Sequence, residues 1–144
     1  MKLSRESQAL AEAFFREHTG DPELRLPPIS IHGGAAARLL MWMIGMSAIT
    51  FGRRVFVRPS HLARDSEGRA VMPGWLLIHE AAHVLQYEER GYLRFFRDYL
   101  RNYWRGLRGA GGWGAACRMA AYMAIAEECE AREAEHAYRT KAAR

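Results

Sequence analysis

Residues 73–91 have the sequence PGWLLIHEAAHVLQYEERG, and this stretch decides the fold of the 144-residue chain. Proline at its start, apolar residues on two sides and a closing glycine predict a buried helix. His79 and His83 are four residues apart, so both lie on one face of that helix. Imidazoles in a buried helix need a polar or metal partner.

The motif His79-Glu80-Ala81-Ala82-His83 has the form H-E-x-x-H. Two histidines at this spacing can bind one Zn²⁺ through ring nitrogens at about 2.0–2.1 Å. Glu80 lies one step round the helix, where it can take a proton from a zinc-activated water. The motif therefore predicts zinc-dependent hydrolysis of a peptide bond, with Glu80 as general base. The alternative is a pair of hydrogen-bonded core histidines that bind no metal.

A catalytic zinc usually has three protein ligands and one open position, so a third ligand must lie elsewhere. The longer motif H-E-x-x-H-x-x-G-x-x-H is excluded, because Gln86 and Glu89 occupy its glycine and last histidine positions. The C-terminal segment supplies five glutamates instead: Glu127, Glu128, Glu130, Glu133 and Glu135.

If the C-terminal segment is one helix, the helical repeat indicates which glutamate faces inward. Glu130 shares a face with Tyr122 and Ala126, so we predict Glu130 as the third ligand. Glu127 and Glu133 remain alternatives on neighbouring faces. The donor for the reaction's oxyanion is open among four candidates: Tyr87, Tyr122, His61 and His136.

Residues 49–53, 77–87 and 122–131 together resemble the bacterial minimal-gluzincin HExxH metallopeptidases. They are similar to the metallopeptidase-like domain associated with contractile injection systems, and the resemblance covers about residues 45–136. It implies that the glutamate preceding alanine, here Glu130, is the third zinc ligand, although Glu133 also precedes an alanine. It further implies that a strand edge within residues 47–57 holds the substrate backbone.

The predicted fold class is mainly α (α+β), with one domain over residues 1–144 and a small hairpin beside the HExxH helix. The expected elements are a helix at 4–18, a strand at 29–31, a buried helix at 35–46, a hairpin at 47–57, a helix at 92–107 and a final helix from 115 to the end.

Composition indicates a globular protein, since 49% of residues are hydrophobic and 26% are charged. Cys117 and Cys129 would be far apart on one continuous helix, which predicts free thiols and a reducing compartment. No signal peptide or clear membrane span is visible, so we predict a cytoplasmic protein, with non-classical export left open.

Residues 92–108 carry five arginines at spacings of 3, 4, 4 and 3, beside several aromatic residues. The interpretation we prefer is a helix with packed aromatics, whose arginines lie in water or pair with the C-terminal glutamates. The alternative is a binding module for an anionic membrane or nucleic acid. We favour a peptide or protein substrate over either partner, and a zinc fold without activity is a third possibility.

Overall fold

The computed structural model describes residues 1–143, which form mostly helices, with one three-stranded and one two-stranded sheet. The helices are α1 (Arg5–Thr19), α2 (Ala35–Ile44), α3 (Gly74–Arg90), α4 (Tyr92–Gly109), α5 (Ala115–Met123) and α6 (Ala126–Ala142). The strands are β1 (Ser30–His32), β2 (Ala48–Phe51), β3 (Arg54–Val57), β4 (Ala63–Arg64) and β5 (Ala70–Val71). The predicted fold class is confirmed.

Helix α3 lies at the centre of the fold and packs against α1, α4, α6 and β2. Its apolar residues, including Leu77, Ile78 and Val84, are almost completely buried. The helix ends at Gly91, whose N–H donates to the Tyr87 carbonyl at 2.8 Å and whose φ of 75° suits glycine. The helix predicted within residues 73–91 is confirmed.

The hairpin predicted at residues 47–57 is confirmed as β2 and β3, which pair antiparallel. Strand β1 pairs parallel with the other side of β3, so the order is β1-β3-β2 and β2 is an edge strand. Side chains alternate between the two faces of a strand. Ala48 and Thr50 are both buried, and β2 packs against α3.

The C-terminal segment forms two helices, so the prediction of one continuous helix from residue 115 is wrong. Helix α5 ends at Met123, and Ile125 is extended with φ −66° and ψ 128° before α6 begins. Cys117 and Cys129 are free thiols, as predicted, but they lie on different helices. The distance argument along one helix therefore does not apply to them.

Within residues 1–143, no helix is both long enough and apolar enough to cross a membrane.

Candidate metal centre

Helix α3 brings the three motif residues into one cleft. His79 and His83 lie one turn apart, with ring centroids separated by 5.1 Å. Glu80 is 4% exposed and His83 is 6% exposed, while the His79 side chain retains 14% of its surface. The motif therefore lies at the bottom of the cleft, with His79 the most accessible of the three.

Helix α6 adds Glu128 to the histidine pair from its first turn. One carboxylate oxygen of Glu128 lies 3.5 Å from Nε2 of His79, and the other lies 3.5 Å from Nε2 of His83. One ligand atom from each of the three residues lies within 4.8 Å of the other two. This is the only group of three or more such side chains that could hold a metal among the described residues.

The structure does not place the predicted ligand Glu130 beside the histidines. Its carboxylate accepts hydrogen bonds from Gln86 Nε2 at 2.7 Å and from Arg90 Nη2 at 3.1 Å. The break before α6 explains the difference, because a new helix starts with its own rotational phase. Extrapolation from Tyr122 through Ala126 therefore selected the wrong face.

The two alternatives to Glu130 also lie away from the histidines. Glu127 is 1% exposed, and it accepts hydrogen bonds from Arg90 Nη1 at 2.9 Å and Asn102 Nδ2 at 3.2 Å. Glu133 is exposed on α6. Of the C-terminal glutamates, Glu128 and Glu135 contact the histidine pair.

Each histidine has a partner at the ring nitrogen opposite Glu128. Nδ1 of His79 lies 3.2 Å from the Glu135 carboxylate, and Nδ1 of His83 lies 2.9 Å from Oε1 of Gln86. Gln86 is fixed in turn, since its Nε2 donates to the Glu127 carbonyl at 3.0 Å. Such contacts set the ring orientation and leave Nε2 of each histidine for a metal.

Thr50 on β2 contacts the motif glutamate directly. Its hydroxyl donates to Oε2 of Glu80 at 2.7 Å, in a contact that is fully buried. Burial raises the pKa of the Glu80 carboxyl above its ordinary value, while the Thr50 hydrogen bond acts in the opposite direction. A general base works best when its pKa lies near the working pH, and burial shifts Glu80 in that direction.

Two tyrosines contact Glu128 from the opposite wall of the cleft. Tyr122 donates to Oε2 at 2.7 Å and Tyr99 donates to Oε1 at 3.2 Å. Burial raises the pKa of both phenols, so both keep their protons at neutral pH and act as donors. Four groups thus converge on one carboxylate.

The charges of His83 and Glu128 depend on the contacts that the Glu128 carboxylate makes. Burial opposes its ionisation, but hydrogen bonds from His79 and His83 outweigh burial and hold its pKa well below the ordinary range. Burial also favours neutral His83, yet contact with Glu128 outweighs that effect and raises the pKa of the imidazole. The cleft therefore contains a stably ionised carboxylate beside two imidazoles.

The cleft above these residues has a volume of about 120 Å³. Beyond the polar groups, aromatic and apolar side chains line it, among them Phe51, Phe95 and Phe96. All four residues of β2 border it. The space is sufficient for one side chain or a short backbone segment beside the histidine pair.

The four candidates for the oxyanion donor divide into two pairs. Tyr122 and Tyr87 line the cleft. His61 packs edge-on against Trp75, with ring centroids 6.0 Å apart, and neither His61 nor His136 borders the cleft. Sequence reasoning missed Tyr99 and Thr50. The alternation of β2 could have indicated Thr50, whereas nothing in the sequence distinguished Tyr99 from its aromatic neighbours.

Comparison with known proteins gives one family. The sequence model of the eCIS core domain matches residues 6–91, which is more than half of the chain. The match runs from α1 to the end of α3, so it starts earlier and ends earlier than the resemblance over residues 45–136. It contains His79, Glu80 and His83 but ends before Glu128. No match was found among the curated proteins or the solved structures.

Proposed function

The chain belongs to the eCIS core domain family, and we propose that it is a zinc-dependent peptidase associated with an extracellular contractile injection system. The convergence of His79, His83 and Glu128 beside Glu80 is the observation that carries the enzymatic part of this proposal. The family supports the partner, and the cleft supports the chemistry.

The donor set fits zinc in both chemistry and spacing. Two imidazole nitrogens and one carboxylate oxygen are a known ligand combination for catalytic zinc. Ligand atoms about 2.0–2.1 Å from a tetrahedral zinc lie about 3.3 Å from each other. Nε2 of each histidine lies 3.5 Å from the Glu128 carboxylate, through a different oxygen in each case, and one ligand atom from each of the three residues lies within 4.8 Å of the other two. These separations are close to those that zinc requires.

When bound, zinc would act as a Lewis acid and lower the pKa of water to about 7. The remaining chemistry belongs to Glu80, which lines the same cleft as the ligands. Glu80 takes a proton from the attacking water as the water oxygen bonds to the scissile carbonyl carbon. It then gives that proton to the leaving amine as the C–N bond breaks.

Negative charge develops on the carbonyl oxygen during this attack and needs a hydrogen-bond donor. Tyr122 is our choice for this role, because its hydroxyl borders the cleft and its raised pKa keeps it protonated. Its one hydrogen bond, which goes to Oε2 of Glu128 at 2.7 Å, would have to shift to the carbonyl oxygen when Glu128 binds the metal. Tyr99 contributes a second hydroxyl from α4 at the same carboxylate.

The substrate proposed for this site is an extended peptide. Strand β2 borders the cleft along its whole length, and among residues 1–143 it pairs with one strand, β3, so that its other edge is unpaired. A peptide can pair with such an open edge by β-augmentation. Phe51, Phe95 and Phe96 favour an apolar side chain next to the cleaved bond.

The decisive experiment measures zinc and hydrolysis on the same samples. Zinc content is determined by elemental mass spectrometry for the parent, His83→Ala and Glu80→Gln, and hydrolysis is measured with a fluorogenic peptide library. The parent is expected to hold about one zinc per chain and to cleave peptides. Glu80→Gln should keep zinc and lose hydrolysis, and His83→Ala should lose both.

Two results would contradict the proposal. If the parent binds no zinc after the metal is added, the histidines are core residues with hydrogen-bonded partners. If it binds zinc but cleaves no peptide, the site is a catalytically silent zinc fold. Glu130→Gln is the matched control, since it removes a nearby charge outside the ligand group, and thermal melting verifies that each variant is folded.

A further inference from the structure

One side of α4 carries an apolar stripe that is exposed in the part of the chain that the structure describes. The stripe consists of Leu93, Leu100 and Trp104, which are 90%, 52% and 46% exposed. Their spacings of seven and four residues place them within about 40° of each other round the helix. The preferred sequence interpretation expected packed aromatic residues on this helix; Phe95 is buried, but Trp104 differs from the expectation.

Arginines flank this stripe along one side of the helix. The same repeat places them within about 80° of rotation of each other, next to the apolar residues. The arginines are Arg94, Arg97, Arg101, Arg105 and Arg108. The side chains of the first three are 69%, 66% and 59% exposed, so the charges extend into solvent over the length of α4.

The acidic groups near these arginines are too few to neutralise them. Arg94, Arg97 and Arg101 all pair with the single carboxylate of Asp98, at 3.8, 3.0 and 3.5 Å. Among residues 1–143, Arg105 and Arg108 are in no ion pair within 4.0 Å, and none of the five pairs with a glutamate of α6. The flank is therefore strongly cationic.

Two tryptophans mark the C-terminal end of the stripe. Trp113, which is 66% exposed, packs edge-on against Trp104 with ring centroids 5.4 Å apart. Tryptophan and tyrosine are enriched where a protein meets the boundary between apolar lipid and water.

We propose that this face of α4 binds an anionic lipid surface, with α4 parallel to the membrane plane. Leucine and tryptophan side chains enter the boundary of the acyl region, and the arginines contact lipid phosphates. Nucleic acid fits less well, because phosphates would leave Leu93 and Leu100 without an apolar environment. This face contains none of the proposed zinc ligands, so membrane binding is independent of the proposed function.

The test is co-sedimentation of the full chain with two kinds of vesicle, one of phosphatidylcholine alone and one that also contains about 30% phosphatidylglycerol. Binding is measured at several salt concentrations, one of which is about 0.15 M. The parent is expected to bind the anionic vesicles at least tenfold more strongly, and to lose that preference as salt rises. Removing three arginines as Arg97→Gln, Arg101→Gln and Arg105→Gln should weaken binding about a hundredfold, at about fivefold per charge.

The matched control changes Arg5, Arg25 and Arg64 to Gln, since these arginines are exposed on other elements; it should bind vesicles almost as well as the parent. Leu93→Ser with Leu100→Ser keeps every charge and should still lose at least tenfold in binding. Equal binding to neutral and anionic vesicles would overturn the proposal. So would tighter binding to a labelled oligonucleotide that the leucine changes do not affect.

Discussion

The hydroxyl of Thr50 lies 2.7 Å from the carboxylate of Glu80, and the contact joins the edge strand β2 to helix α3, which carries the H-E-x-x-H motif. Both residues are buried, at 6% and 4% exposure. The strand that borders the cleft therefore also orients Glu80, the proposed general base. A change in the position of β2 would be transmitted to the carboxylate through one hydrogen bond.

Thr50→Val should reduce hydrolysis while zinc content stays at the parental level. A hydrogen bond to a charged group contributes about 1.5–3 kcal/mol, so kcat/KM should fall about ten- to a hundredfold if the contact positions Glu80 for proton transfer. Thr50→Ser keeps the hydroxyl and should remain close to the parent. Equal activity of the valine and serine variants would show that the contact is not used in the reaction.

Glu128→Gln should weaken zinc binding far more than Glu130→Gln. Glu128 supplies a carboxylate oxygen to the histidine pair, whereas Glu130 contacts Gln86 and Arg90. Loss of a ligand should lower zinc affinity by at least a hundredfold, measured by competition with a chromogenic chelator. If Glu130→Gln lost more zinc affinity than Glu128→Gln, Glu130 would be the third ligand, as the sequence predicted.

Glu135→Gln should weaken zinc binding by a smaller factor, about tenfold. Its carboxylate lies 3.2 Å from Nδ1 of His79 and holds that ring in place. Partners of this kind typically contribute 10–100-fold in metal affinity. Glu133→Gln, on the exposed side of the same helix, supplies the control. Identical affinities for the two variants would mean that Glu135 does not orient the ligand.

Arg90→Met should lower the free energy of unfolding by about 3 kcal/mol, because it leaves the Glu127 carboxylate buried without its cation. Glu127 is 1% exposed, and Asn102 would be its remaining side-chain donor. Urea denaturation gives the value. Arg53→Met breaks an exposed pair with Glu88, which water screens, and should lower the free energy of unfolding far less. Similar losses would indicate that burial of Glu127 does not matter.

Much of the fold follows from local signals in the sequence. Proline at residue 73 and glycine at residue 91 bracket α3, and Gly52 falls between the two strands of the predicted hairpin. The break between α5 and α6 lacks such a signal, because Ala124 is a good helix former and neither glycine nor proline is near it. Tertiary packing ends α5 there, since Ile125 is completely buried.

The break between α5 and α6 also limits how much of the candidate site could be predicted from the sequence. His79, Glu80 and His83 belong to one helix, so their spacing alone places them together. Glu128 comes from another helix whose phase is set by where α6 begins. The sequence does not show at which residue α6 begins, so the helical repeat cannot show which of the five glutamates within residues 127–135 faces the histidines. That choice requires the three-dimensional structure.

The open edge of β2 has a consequence for what this protein can select. Any segment that pairs with that edge must first give up the hydrogen bonds it makes within its own fold. The free energy of local opening in the target would then add directly to the barrier for cleavage. Two proteins with identical sequences at the cleavage site would therefore be cut at different rates, according to how often that site detaches from its own structure.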